Sequence, residues 1–296
     1  MQLLSFILFY PIIWFVSKLN FKLLYILSDL CYYLLYYVIR YRRKIVAKNL
    51  KLAFPKKTKK ELKIIEVKFY KNLTDIFLES FKSMNMTEVE MRSRFKFKNM
   101  DVVNDIYNRN QELIIMCGHY ASWEWVFILD KYTDYIVNGI YKKLSNKYFD
   151  SWAKKVRNKY NGKLISTKKT YKTILKNSKT KTLNLYGFAS DQTPKMSKAN
   201  HWGYFMNNWV PIHTGAEIIS KKHNIAVIFM AVKRIKRGYY SASFKKITNN
   251  PKDFKNFEIS DIFIKLVEKQ IYEAPEYYTW THKRWKHMKP APTETS

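Results

Sequence analysis

The stretch Gly118-His119-Tyr120-Ala121-Ser122-Trp123-Glu124 sets an imidazole and a carboxylate five positions apart. Two such groups suffice for general base catalysis. An imidazole near its ordinary pKa takes a proton from an attacking hydroxyl, and a carboxylate fixes its tautomer and stabilises the imidazolium that forms. On a continuous helix, residues five apart are rotated by about 140° from each other. The spacing therefore predicts His119 in a loop, Ser122 near a helix N-cap and Glu124 in the first helical turn, where the helix dipole favours an anion. From there Glu124 can accept a hydrogen bond from one imidazole nitrogen and leave the other to face substrate. Taken alone, an H-x4-E spacing also fits a loop histidine beside a surface glutamate.

The elements that must position these groups are legible on either side. Leu113 to Cys117 is a short apolar strand, so His119 emerges where α/β sheets place ligands, at a strand's carboxyl end. Further strands read at Tyr135 to Ile140, Lys163 to Ser166, Thr182 to Gly187, Ile225 to Val232 and Tyr239 to Ile247. Helices read at Ser122 to Leu129, Lys147 to Tyr160, Thr170 to Asn177, Gly215 to His223 and Ser260 to Tyr272. Their alternation predicts an α/β fold with a mixed central sheet flanked by helices. Residues 46–100 read as helical, with a break at Ala53-Phe54-Pro55 and a capping pattern, Thr58 to Glu61, opening the next helix.

The N-terminus is of another kind. Met1 to Ser17 carries no charge, a second apolar run spans Leu23 to Ile39 broken only by Asp29, and Arg40-Tyr41-Arg42-Arg43-Lys44 follows. Each apolar run alone also fits a buried core helix. Together, next to a basic cluster, they predict an N-terminal apolar helical membrane anchor, with the remainder on the cytoplasmic side. The expected organisation is a membrane anchor over 1–44, a catalytic domain over 45–290 comprising a helical collar (45–100) and an α/β core (101–290), and a disordered tail over 291–296.

With 54 Lys and Arg against 23 Asp and Glu, the net charge is +31, so the expected partners are anionic. Between Tyr141 and Lys181 lie fourteen basic residues and one acid, Asp150. As a group they suit an acidic carrier protein or lipid phosphates. Arg157 stands out because a guanidinium offers two directed donors to a phosphate or a developing oxyanion. Asp191 falls after a strand, at a second carboxyl end, where it also fits a turn-capping role before Pro194. The two cysteines, Cys31 and Cys117, have neither disulfide nor metal spacing, and Cys117 reads as a small buried residue rather than a nucleophile. The six histidines show no metal-ligand spacing, so neither metal nor cofactor is expected. His213 reads as structural, and the role of His282 is left open.

GHYASWEW closely resembles the G-H-x-G-N-W-E motif of the lipid A biosynthesis (lauroyl or myristoyl) acyltransferase branch of the lysophospholipid acyltransferase superfamily. Further segments match in order over nearly the whole chain: YRRKIVAKNLKLAFP, IYKKLSN, SDQTP, VPIHTGAEIISKKHNIAVI and APEYYTWTHKRWK. The resemblance implies a membrane-associated acyltransferase in which His119 is the general base and Glu124 its orienting partner. It further implies that Arg157 lies near acyl or phosphate groups and Asp191 beside the dyad. It implies acyl-carrier protein as the usual donor, with acyl-CoA open, a lipid A precursor as the usual anionic acceptor, and a place at the cell inner membrane. Two departures stand out: Ala121-Ser122 where Gly-Asn is usual, and Lys142 where the family often has Arg. The first leaves a lysophospholipid or aminoacyl lipid open as acceptor. The competing reading of another class, a non-enzymatic basic protein binding membrane or nucleic acid through charge, explains +31 but gives His119 and Glu124 no reason to sit between strand and helix.

Overall fold

A computed structural model describes residues 1–291; of the expected tail, 292–296 lie outside the described residues. The chain opens on two apolar helices, α1 (Gln2–Lys18) and α2 (Phe21–Tyr33), the second continuing through a π-helical turn at Leu34–Val38. Then come α3 (Arg43–Ala53), α4 (Lys59–Lys82), α5 (Glu88–Arg94), β1 (Phe95–Phe97) and α6 (Asp101–Asn108). The core continues with β2 (Leu113–Cys117), β3 (Ile136–Tyr141), α7 (Lys147–Arg157), β4 (Lys163–Ser166), α8 (Thr170–Asn177) and β5 (Asn184–Ala189). A hairpin of β6 (His201–Phe205) and β7 (Asn208–Ile212) leads to α9 (Gly215–His223), β8 (Ala226–Lys236), β9 (Tyr239–Thr248) and α10 (Glu258–Glu273).

Seven strands form one mixed sheet in the order β1-β9-β8-β2-β5-β3-β4, parallel throughout except for the β8–β9 pair. The centre of the sheet explains itself. Residues Leu113, Ile114, Ile115 and Met116 of β2 are almost completely buried, on both faces of the strand, as a strand with cover on each side requires. Each such side chain contributes roughly 1.5–3 kcal/mol by leaving water. The chain leaves β2 toward β3 on one side and leaves β5 toward β8 on the other. Neighbouring strands whose exits diverge open a crevice at their carboxyl ends.

Where the elements depart from expectation, local geometry gives the reason. The helix read at Ser122 to Leu129 is instead a 3-10 helix over Trp125–Lys131. Ala121 adopts a left-handed φ of 49°, which turns the chain before any α-helical turn can close. The Lys147 to Tyr160 helix ends at Arg157 and tightens into one 3-10 turn. Thr58 and Glu61 do form a reciprocal capping box at the start of α4. Two elements carried no recognised pattern: β1, three residues long, inside the stretch read as helical, and the β6–β7 hairpin, which turns on Met206 and Asn207, both at positive φ.

Candidate active site

β2 and β5 run parallel with Cys117 opposite Ala189. Two residues beyond each partner stand His119 and Asp191, so the register alone delivers both side chains to one place above the sheet. His119 Nδ1 lies 2.7 Å from Asp191 Oδ1, and the carboxylate is wholly buried while the imidazole keeps about a quarter of its surface. With Nδ1 occupied, Nε2 is the nitrogen left for a reacting partner.

The electrostatics follow from that contact. Burial alone would push the His119 pKa down, but the Asp191 charge and hydrogen bond, with a further contribution from Glu124, raise it above its ordinary value of 6.5. For Asp191, burial would raise the pKa, and the imidazole's charge and hydrogen bond overcome this and hold it low. Each charge thus stabilises the other, so the imidazolium formed when His119 takes a proton is favoured. Cys117 is pushed up to about 12 by burial and by the charge of Asp191, which keeps it a thiol at neutral pH.

Glu124 has a different partner from the one the spacing suggested. Both of its oxygens are taken by Arg157, whose Nε donates at 2.9 Å and whose Nη2 donates to the other oxygen. Glu124 stands just before the 3-10 helix rather than in an α-helical first turn, and points at the last residue of α7. The imidazole's bonded partner is therefore Asp191, with Glu124 near enough to add its field. Arg157 stacks near Phe127 and stays charged: burial opposes its proton, and the Glu124 charge and hydrogen bond outweigh that. Its paired donors are thereby committed within the protein.

The loop carrying His119 is clamped from the C-terminal side. Thr279 Oγ1 donates to the His119 carbonyl at 2.8 Å, the Ala121 amide to the Tyr277 carbonyl at 2.9 Å, and the Tyr120 hydroxyl to the Ala274 carbonyl at 2.8 Å. Asn49 in turn donates to the carbonyls of Trp280 and His282, both at 2.8 Å. Spacing gave no sign of these contacts, because they are made largely by backbone atoms more than 150 residues away in sequence. His282 accepts the Thr193 amide through Nε2 at 3.2 Å, and it and His213 are both pushed down to about 4, by burial first and then by the Arg284 charge. Both are therefore weak bases, and His119 is the strongest base of the three. Ser122, expected near a cap, is buried with its Oγ unbonded among the described residues.

Of the basic stretch, Lys142, Lys143, Lys155, Lys168, Lys172 and Lys176 are exposed. Lys154 is tied to Asp150 at 2.9 Å, and Lys159 donates to the Met84 carbonyl at 3.1 Å. A strongly positive flank thus adjoins α7, whose last residue holds Glu124.

No curated protein matches the chain significantly. The bacterial lipid A biosynthesis acyltransferase family matches it over residues 3–287. That span takes in the histidine loop, both strands that carry the pair and the clamp behind it, and on it the chain belongs to the bacterial lipid A biosynthesis acyltransferase family and is an acyltransferase.

Proposed function

We propose that the protein transfers a fatty acyl group from an acyl thioester, carried by acyl-carrier protein, to a hydroxyl of a lipid A precursor at the cytoplasmic face of the inner membrane. His119 is the general base. Its Nε2 takes the hydroxyl proton as the oxygen attacks the thioester carbonyl, and the tetrahedral intermediate then expels sulfur, which leaves with the proton returned by the imidazolium. Asp191 holds the tautomer that exposes Nε2 and stabilises the cation while the proton is in transit. Glu124 anchors Arg157 and adds negative potential. Arg157, held flat by Glu124, offers its remaining donors to the oxyanion or to an acceptor phosphate.

One observation carries this reading: the 2.7 Å contact of His119 with Asp191 at the carboxyl ends of two adjacent strands, within a chain of acyltransferase lineage. The net charge of +31 favours anionic donor carrier and acceptor alike. The apolar residues of 1–44 serve as the anchor that holds the site where a lipid acceptor resides.

Purified protein in detergent, offered acyl-carrier-protein and CoA thioesters with a lipid A precursor, tests it. The expected product is the precursor heavier by one acyl group, read by mass spectrometry, with the carrier-protein donor preferred. Turnover with a lysophospholipid or aminoacyl lipid and none with the precursor would overturn the acceptor while leaving the chemistry intact.

A further inference from the structure

On α2 the polar side chains Tyr25, Ser28 and Asp29 bond to the protein beside the buried Leu24 and Tyr32, while an exposed stripe of Leu23, Ile26, Leu30 and Tyr33 continues to Tyr37 in the π-helical turn. With that turn α2 forms an apolar span, Phe21–Val38, long enough to cross a membrane. Its midpoint, however, is fastened to the catalytic domain. Arg237, in the turn between β8 and β9, donates to both oxygens of Asp29, at 3.0 and 2.7 Å, and also to Asp75 of α4. Ser28 donates to Asp75 at 2.7 Å, and Tyr25 to Glu79 at 2.8 Å. Gly238 in the same turn sits so close to Tyr25 that a Cβ there would collide with the phenol oxygen.

A helix bound at its middle to a charged hairpin cannot also run through the centre of a bilayer, because the hairpin would have to enter the hydrocarbon with it. The first helix is tied down at its two ends instead, with Lys82 Nζ donating to the Ser17 carbonyl at 3.2 Å at the C-terminal one. Gln2 Nε2 donates to the Ser145 carbonyl at 3.2 Å, and Asn146 Nδ2 to the Gln2 carbonyl at 2.9 Å. At 17 residues α1 spans about 25 Å, short of a hydrocarbon core of about 30 Å. It too exposes apolar side chains, Leu4, Leu8 and Phe15 among them.

We propose that α1 and α2 lie in the plane of one leaflet as a lipid-facing platform on an anionic bilayer, instead of crossing it. Charge at the ends of α2 identifies this occupant. Lys18 and Lys22 are exposed at one end, and Arg40, Arg42 and Lys44 at the other. A spanning helix would split these two groups between opposite faces, whereas a helix in the plane sets both among the headgroups of one leaflet. Exposed apolar side chains on both helices, flanked by basic residues, are the chemistry of helices that lie at a lipid interface. The inference rests on the membrane attachment proposed above and fixes its geometry.

Two single cysteines test it, Lys18→Cys at the end of α1 and Ser178→Cys at the exposed C-cap of α8, each in a Cys31→Ser, Cys117→Ser background of the full chain. In sealed vesicles of one orientation, a membrane-impermeant maleimide should label both from the same face, with at least about tenfold less reaction at either from the other. Labelling of Lys18→Cys from the face opposite to Ser178→Cys would overturn the proposal. Adding Arg237→Gln should raise opposite-face labelling of Lys18→Cys by about threefold or more, since the span is then freed; no change would overturn the role of the latch. Recovery of the wild type in the wash without detergent would overturn membrane attachment itself. Labelling needs no turnover, so none of these outcomes depends on the acyl-transfer reading.

Discussion

Asp191 beyond β5 and Glu79 in α4 are both carboxylates sealed from water, yet their surroundings shift their pKa values in opposite directions. Asp191 is bonded to an imidazole that can carry a proton, and the resulting pair of opposite charges holds its pKa low. Glu79 accepts from two phenols, Tyr25 and Tyr240, both at 2.8 Å. Burial and the charge of nearby Asp75 push it up to about 7, against the phenol hydrogen bonds and Arg234. Burial is common to the two sites, and the partner decides. A carboxylate bonded to a base becomes part of a proton path, while one bonded to neutral hydroxyls beside another acid becomes a structural staple that joins α2, α4 and β9.

The largest effect expected from breaking this comparison is in the first region. His119→Ala should lower kcat by about 10²–10⁴-fold or more while the circular dichroism spectrum and membrane attachment persist. Near-normal turnover would remove the proposed base. Asp191→Asn should come next and should also move the pH profile. The carboxylate holds the His119 pKa above 6.5, so wild-type kcat/KM should rise with pH through an apparent pKa above that value. In Asp191→Asn this acid limb should shift to lower pH as the maximum rate falls. An acid limb left in place would show that the rate reports some other group.

The second region should respond in stability and leave the chemistry largely alone. A folded pKa raised from 4.5 to about 7 means that the stability contributed by Glu79 is present below its unfolded pKa and lost as pH rises toward 7. The loss is on the order of 3 kcal/mol. Glu79→Gln, which imitates the protonated form, should match the wild type near pH 4.5 and exceed it in denaturant midpoint near pH 8. Equal midpoints at both pH values would show that Glu79 is not driven neutral.

Arg157→Ala should reduce kcat/KM more than Arg157→Lys, because lysine keeps the charge and loses the fork that grips both Glu124 oxygens. An alanine variant no worse than Lys154→Ala would make Arg157 one charge among many. The smallest effect expected is that of Ala121→Gly. A left-handed backbone costs an L-residue roughly 1–2 kcal/mol, partly offset by the greater chain entropy of glycine. The net gain should be about 1 kcal/mol or less, read as a modest rise in Tm.

Much of the core was legible because its signals are local. β2 is an uninterrupted apolar run and α8 a short periodic segment, and both fall where the sequence placed them. His119, Glu124, Arg157 and Asp191 were all singled out from sequence and resemblance, and the structure gathers them in two bonded pairs. What the sequence withheld was the pairing. His119 and Glu124 are neighbours along the chain, so spacing joined them, whereas Asp191 reaches His119 only through the register of β2 on β5. Ala121 illustrates a second limit. Its departure from glycine was visible as a letter, but its consequence, a positive φ that delays the helix, is visible only as a torsion angle.

The clamp formed by residues 274–280 bears on the order in which the protein becomes competent. The histidine loop is synthesised early, its bonded carboxylate 72 residues later, and the segment that fixes the loop's backbone more than 150 residues later. Contacts of such long sequence separation close late in folding, after most of the loop entropy has been lost. A nascent chain emerging from the ribosome would therefore carry its imidazole without a fixed orientation until residues 274–280 have followed. Competence would wait until residues 274–280 dock on the histidine loop.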